Sequence, residues 1–120
     1  VPAVVGGNTV VVLASESYPL CGITFAEVLH SSDVPGGVIN IMSGRRSELI
    51  EQFSSHMDVN AIIYCGVDSG HASMIEKNTA LNVKRAINYA DQNWINSNAQ
   101  GPYHIMNSQE IKTTWHPIGY

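Results

Sequence analysis

The stretch Pro2-Ala3-Val4-Val5-Gly6-Gly7-Asn8-Thr9-Val10-Val11-Val12-Leu13-Ala14-Ser15-Glu16 decides how the rest of the chain is read. Small residues lead into a Gly-Asn turn, a β-branched run follows, and a Ser-Glu pair stands just ahead of a helical pattern. An unbroken apolar run of this kind suits a strand covered on both faces. Parallel α/β sheets hold ligands outside the carboxyl ends of their strands. Ser15 and Glu16 therefore stand where a ligand such as a nucleotide's sugar is held.

Working outward, the pattern repeats. Residues 8–13 form the first expected strand, and Pro19 suits the first turn of a helix running to about His30, with Ser17 as a candidate cap. Cys21, Phe25, Val28 and Leu29 are expected on its sheet-facing side. Ser31-Ser32-Asp33 and Pro35-Gly36-Gly37 end it and make the turn. Residues 38–42 form a second strand, 47–56 a second helix with Leu49, Ile50 and Phe53 at helical spacing, and 61–65 a third strand. A third helix over 72–79 and a fourth strand over 83–89 complete the alternation. Residues 91–101, rich in Asn and Gln, read as a loop. Residues 110–115 alternate apolar and polar, as an edge strand does. The expected architecture is α/β: a Rossmann-like open parallel sheet flanked by helices, one domain over residues 1–120.

Composition bounds the partners. Of the 120 residues 44% are hydrophobic and 13% charged, which suits a chain burying about two thirds of its unfolded surface and argues against disorder. A net charge of −4 argues against nucleic acid, since Arg45-Arg46 and Lys84-Arg85 make no basic stripe. Arg45-Arg46 reads as a solvated turn or as a recogniser of a 2′-phosphate. No run of about eighteen apolar residues points to a membrane. Cys21 and Cys65 read as reduced core thiols, with a disulfide or a nucleophile as the alternatives. The five histidines show no metal-ligand spacing, and His71 beside Gly70 has no evident orienting partner. These features fit a cytoplasmic setting. The opening in mid-motif, on Val1, suggests a piece of something longer.

Several ordered segments carry a family resemblance. They are Gly7-Asn8-Thr9-Val10-Val11, Pro19-Leu20 with Ala26-Glu27, Val34-Pro35-Gly36-Gly37-Val38-Ile39-Asn40, and His56-Met57-Asp58-Val59-Asn60-Ala61-Ile62. In order and spacing they resemble the cofactor-binding half of the aldehyde dehydrogenases, from Pro2 to roughly Ile87. The resemblance implies that Glu16 matches a glutamate that hydrogen-bonds the adenosine ribose. Leu13 and Ala14 stand where a lysine and a proline are usual. Losing a charge-assisted donor at Leu13 weakens that contact by ~1.5–3 kcal/mol, about ten- to a hundredfold in affinity. An exposed carboxylate near a helix N-terminus is also stabilising with no ligand at all.

Gly66-Val67-Asp68-Ser69-Gly70 occupies the place of the family's glycine-rich pyrophosphate turn, with a shorter glycine spacing. Gly66, Val67 and Gly70 are thus vestigial candidates for cofactor contact, beside Ser15 and Glu16. Asp68 either repels a pyrophosphate or caps the following helix. The general-base region corresponds to residues 86–91, where neither Asn88 nor Tyr89 serves as a base near neutral pH. No cysteine follows Cys65, so no thiohemiacetal forms.

The ending Lys112-Thr113-Thr114-Trp115-His116-Pro117-Ile118-Gly119-Tyr120 resembles that of family-sixteen members, which append an incomplete second aldehyde dehydrogenase-like region to a full one. The resemblance implies a non-catalytic domain holding no cofactor, or NAD(P) at most weakly. It would pack on the remaining domains of its own polypeptide and is open to homo-oligomerisation. The alternative is the NAD(P)-binding half of an active aldehyde dehydrogenase. A third reading is an interaction module whose final strand pairs with another chain, with Trp94, Trp115 and Tyr120 as contacts unless they cover the domain's own sheet.

Overall fold

The structure is a computed structural model that describes residues 1–90 and 92–119. Asp91, expected to open the loop after the fourth strand, and Tyr120, a candidate contact aromatic, lie outside the described residues. The elements run α1 (Pro2–Val5), β1 (Val10–Leu13), α2 (Pro19–His30), β2 (Ile39–Met42), α3 (Arg46–Ser55), β3 (Ala61–Tyr64), α4 (Ser69–Leu81), β4 (Arg85–Asn88), a 3-10 turn (Ser97–Gln100) and α5 (Tyr103–Asn107). The chain is an α/β protein of short parallel strands flanked by helices.

The strands pair two by two. β1 runs parallel to β2 from Val10↔Ile39 to Leu13↔Met42, and β3 runs parallel to β4 from Ala61↔Arg85 to Tyr64↔Asn88. One continuous sheet was expected; among the described residues β1 and β3 do not pair. Four-residue strands supply few ladder bonds, so burial must hold them together. β1 lacks that burial, because Val11 and Val12 remain 52% and 42% exposed.

α2 explains part of this exposure. Pro19 starts it, and Gly22, Ala26 and Leu29 form its half-buried face. A side chain on Gly22 would come within 2.8 Å of the Ala14 Cβ, so the helix lies close on the end of β1. Leu29 faces inward as expected, whereas Cys21, Phe25 and Val28 are exposed. Small residues make the contact because they let backbones approach. Cys21 and Cys65 are both free and exposed rather than core thiols.

The core sits in the second half. Ile50 of α3, Tyr64 of β3 and Ile75 of α4 are buried together, with Ile62 and Ala72 packed on them. A polar clamp joins the two helices: the fully buried Ser54 hydroxyl donates to the Ile50 carbonyl at 2.8 Å and accepts from Asn78 Nδ2 at 2.8 Å. Asn82 Nδ2 donates to the Ser55 carbonyl, and Lys84 Nζ to that of His56.

α4 extends beyond the expected 72–79 at both ends. Asp68 caps it early, and it closes with the Lys84 N–H on the Thr79 carbonyl at 3.0 Å. That closure puts Val83 at φ 53°, a left-handed conformation that suits glycine.

The region expected as a structureless loop holds the 3-10 turn, and α5 follows it unforeseen. Tyr89 Oη accepts from Asn107 Nδ2 at 2.9 Å and lies 3.0 Å from His104 Nδ1. Trp94 packs edge-on to Tyr89 with ring centroids 5.4 Å apart and remains 46% exposed. Residues 110–115 form no strand here, because alternation makes a strand only where a neighbour supplies the ladder.

The accessible surface is 9228 Å², against about 6,300 Å² for a compact chain of this size. The radius of gyration is 16.5 Å, against about 14 Å for a compact domain of this length. Large faces are uncovered. Among the described residues, no helix is long and apolar enough to cross a membrane.

Candidate functional site at the strand ends

The expected site residues lie at the carboxyl ends of β1 and β3, and Ser15, Glu16 and Gly70 each make a hydrogen bond within the protein. The Ser15 hydroxyl accepts from the Tyr18 N–H at 3.3 Å and shapes the turn into α2. Ser17 is not the cap: the N-cap is Tyr18, without a side-chain cap bond. The Glu16 carboxylate accepts from the backbone N–H of Arg46, the first residue of α3. Helix N-termini leave four N–H groups without intrahelical partners, and Glu16 satisfies one of them.

Arg46 ties this point to the end of β3. Its guanidinium carbon lies 5.7 Å from the centroid of the Tyr64 ring, within cation–π range. Tyr64 is buried, and its hydroxyl donates to the Asp68 carbonyl at 3.4 Å. Gly66 lies beneath both side chains. A Cβ there would run into the Tyr64 ring and sit 2.9 Å from Arg46 Nη1. The space beside this glycine is filled by the protein itself.

The turn between Gly66 and α4 is equally engaged. Asp68 Oδ1 accepts from the N–H of Gly70 at 2.8 Å and of His71 at 3.1 Å. Asp68 is therefore the helix cap, the second of the two roles its sequence position allowed. Those bonds, the His71 one first, hold its pKa below the ordinary value, with smaller help from the charges of His71 and Arg46. Val67 is exposed and contributes no polar side chain.

His71 stands over the cap. Its ring meets Tyr64 edge-on at 6.5 Å, and Nδ1 is 3.9 Å from Asp68 Oδ2, beyond hydrogen-bond reach. Nδ1 is buried with no hydrogen-bond partner. The Cys65 thiol is exposed by area, yet enough protein surrounds it that burial pushes its pKa up, and Arg46 offsets this only in part. A raised thiol is a poor nucleophile near neutral pH. Among the described residues, no group of three or more His, Cys, Asp or Glu is placed to hold a metal ion.

Glu16 Oε1 is engaged by the N–H of Arg46, and the N–H groups of Gly70 and His71 are engaged by Asp68 Oδ1. Sequence reasoning gave Arg46, with Arg45, as a solvated turn or a recogniser of a 2′-phosphate, and Tyr64 as a residue within the strand over 61–65. Neither reading anticipated the contacts of Arg46 with Tyr64 and with Glu16.

Comparison with known proteins bears on the lineage. The family model described as "Aldehyde dehydrogenase family" matches residues 1–89. The chain belongs to the aldehyde dehydrogenase family. It is 31% identical over 84 residues to an aldehyde dehydrogenase of Aspergillus niger, covering 70% of this chain and 17% of that protein. It is 35% identical over 83 residues to aldehyde dehydrogenase 1 of Tanacetum cinerariifolium, covering 69% and 17%. The NADP/NAD-dependent aldehyde dehydrogenase PuuC of Escherichia coli K12 is 31% identical over 84 residues, covering 70% and 17%. The match thus spans about 17% of the length of these curated aldehyde dehydrogenases. No solved structure matches the chain.

Proposed function

We propose that this aldehyde dehydrogenase-family domain is non-catalytic and serves assembly, with its nucleotide-facing end closed by its own side chains. The observation that carries this reading is Arg46, whose N–H holds Glu16 while its guanidinium and the Tyr64 ring cover Gly66. Leu13 in place of a lysine, and Asn88 and Tyr89 in the general-base region, support it. The uncovered apolar residues of α2 and β1 suit packing on the remaining domains of its own polypeptide. The proposed setting is cytoplasmic, in keeping with two free cysteines.

Calorimetric titration of the chain with NAD⁺ and NADP⁺ tests the proposal. No binding heat is expected up to millimolar nucleotide, and no aldehyde oxidation. The competing reading, the cofactor-binding half of an active NAD(P)-dependent enzyme, draws on what the relatives are called. It requires binding in the micromolar range, and that result would end the non-catalytic account.

A further inference from the structure

Among the described residues, His71 holds the one buried side-chain polar atom that lacks a partner. Its side chain is 25% exposed, yet Nδ1 itself is covered and makes no hydrogen bond. A buried nitrogen left bare has lost its hydration without compensation, so the fold gains from a partner that reaches it. Asp68 Oδ2 stands 3.9 Å away. Oδ1 of the same carboxylate is engaged by the N–H groups of Gly70 and His71, whereas Oδ2 accepts no hydrogen bond among the described residues.

The proton inventory decides what this pair can do. A neutral imidazole with its proton on Nε2 presents a lone pair at Nδ1, and a carboxylate oxygen offers only lone pairs. Nothing then joins the two atoms. An imidazolium carries N–H on both nitrogens, so Nδ1 becomes a donor facing an anionic acceptor. An approach of about 1 Å brings them to hydrogen-bond length. Histidine is the side chain that ordinarily changes charge between pH 5 and 8, where aspartate stays ionised.

We propose that His71 and Asp68 form a proton-operated latch on the turn that opens α4. The latch stands open at the 3.9 Å separation, and uptake of one proton by the ring closes it through a bond from Nδ1 to Oδ2. Asp68 then grips the start of α4 with both oxygens.

The surrounding charges permit closure. β3 contributes Tyr64, edge-on to the His71 ring at 6.5 Å, with Cys65 next in the chain. α3 contributes Arg46, whose guanidinium lies over the Tyr64 ring. Glu48 of α3 turns to Arg45 at 3.7 Å, and Glu51 is exposed. β4 brings only Arg85, level with Ala61 at the opposite end of the ladder from Tyr64. On α4 itself Glu76 and Lys77 lie more than one turn further on. The positive end of α4 opposes a cation, but it amounts to about half a charge, against the full charge of Asp68.

The inference goes beyond the assembly role and holds whether or not the domain binds nucleotide. A double-mutant cycle of His71→Gln and Asp68→Asn, read by urea denaturation, tests it. The first removes the titrating ring, and the second keeps an oxygen for the cap. Coupling of about two- to fivefold in the unfolding equilibrium, the range of a partly exposed ion pair, is expected at pH 5.5 and none at pH 8. Nitrogen-15 magnetic resonance of the parent chain is a second readout that needs no variant to fold. The His71 ring is expected to carry its proton on Nε2 at pH 8 and to gain a slowly exchanging Nδ1 proton towards pH 5.5. Coupling absent at pH 5.5, coupling equal at both pH values, or a neutral ring with its proton on Nδ1 overturns the proposal.

Discussion

The carboxylate of Glu16 accepts a hydrogen bond from the backbone N–H of Arg46, joining the end of β1 to the start of α3. The residue whose position matches a ribose contact thus does structural work across thirty residues of sequence. α3 carries a negative group at its positive end.

Glu16→Ala is accordingly expected to lower stability by ~1 kcal/mol, the usual cost of losing an N-terminal side-chain cap. Glu16→Gln keeps an acceptor and loses the charge, so it should cost about 0.3–1 kcal/mol. Urea denaturation without nucleotide measures both. Unchanged midpoints would show that the carboxylate does nothing for the fold.

Gly66→Ala places a Cβ against the Tyr64 ring and Arg46 Nη1. Overpacking of this kind costs ~1–3 kcal/mol, and the loss should appear as an earlier thermal transition. A midpoint equal to that of the parent would mean the two side chains move aside freely.

Val83 is 96% exposed and has φ 53°, at the residue where α4 closes. A β-branched residue there is strained by roughly 1–2 kcal/mol, while glycine loses about 0.5–1 kcal/mol more chain entropy on folding. Val83→Gly should therefore stabilise the protein by about 0.5–1 kcal/mol. The denaturation midpoint should rise with no change in slope.

Asp68 makes stability depend on acid pH. Its pKa is lowered in the fold by the N–H groups of His71 and Gly70. The unfolded chain therefore binds the proton first, from about pH 3.9 downward. The stabilisation is complete above that value and lost as pH falls through the folded pKa. Asp68→Asn keeps an oxygen acceptor for the cap and removes the titration. The difference in melting temperature between parent and variant should shrink as pH falls below about 5.

Ser54 is fully buried between α3 and α4. Ser54→Ala leaves the Asn78 amide without its 2.8 Å acceptor and should cost about 1–3 kcal/mol. Chemical denaturation followed by far-ultraviolet circular dichroism reads the loss.

The order from β1 to β4 was legible from local pattern, whereas α1 and α5 were not foreseen. Val10 to Leu13, Ile39 to Met42 and Ala61 to Tyr64 are short β-branched runs between turn residues, and Pro19 marks a helix start; such signals act within a few neighbours. The Asp68 cap was legible for the same reason, since a cap bonds only two or three residues ahead. The family's ordered segments agreed with that reading over residues 1–89.

The contacts of Arg46 were not legible, because they join residues far apart in the chain. Arg46 meets Glu16 across one β-α-β unit and Tyr64 from the next, and no periodicity marks either contact. Burial of α2 was misread at Cys21, Phe25 and Val28 because apolar character reports what gains from covering, not what covers it. Whether the alternation at residues 110–115 becomes a strand depends on a ladder partner outside the segment. Local pattern set the strands and helices of this chain, while long-range packing chose which carboxylate caps which helix and which edges stay open. Backbone and side-chain preferences act over a few residues, but a hydrogen bond or a covered face exists only once distant segments meet.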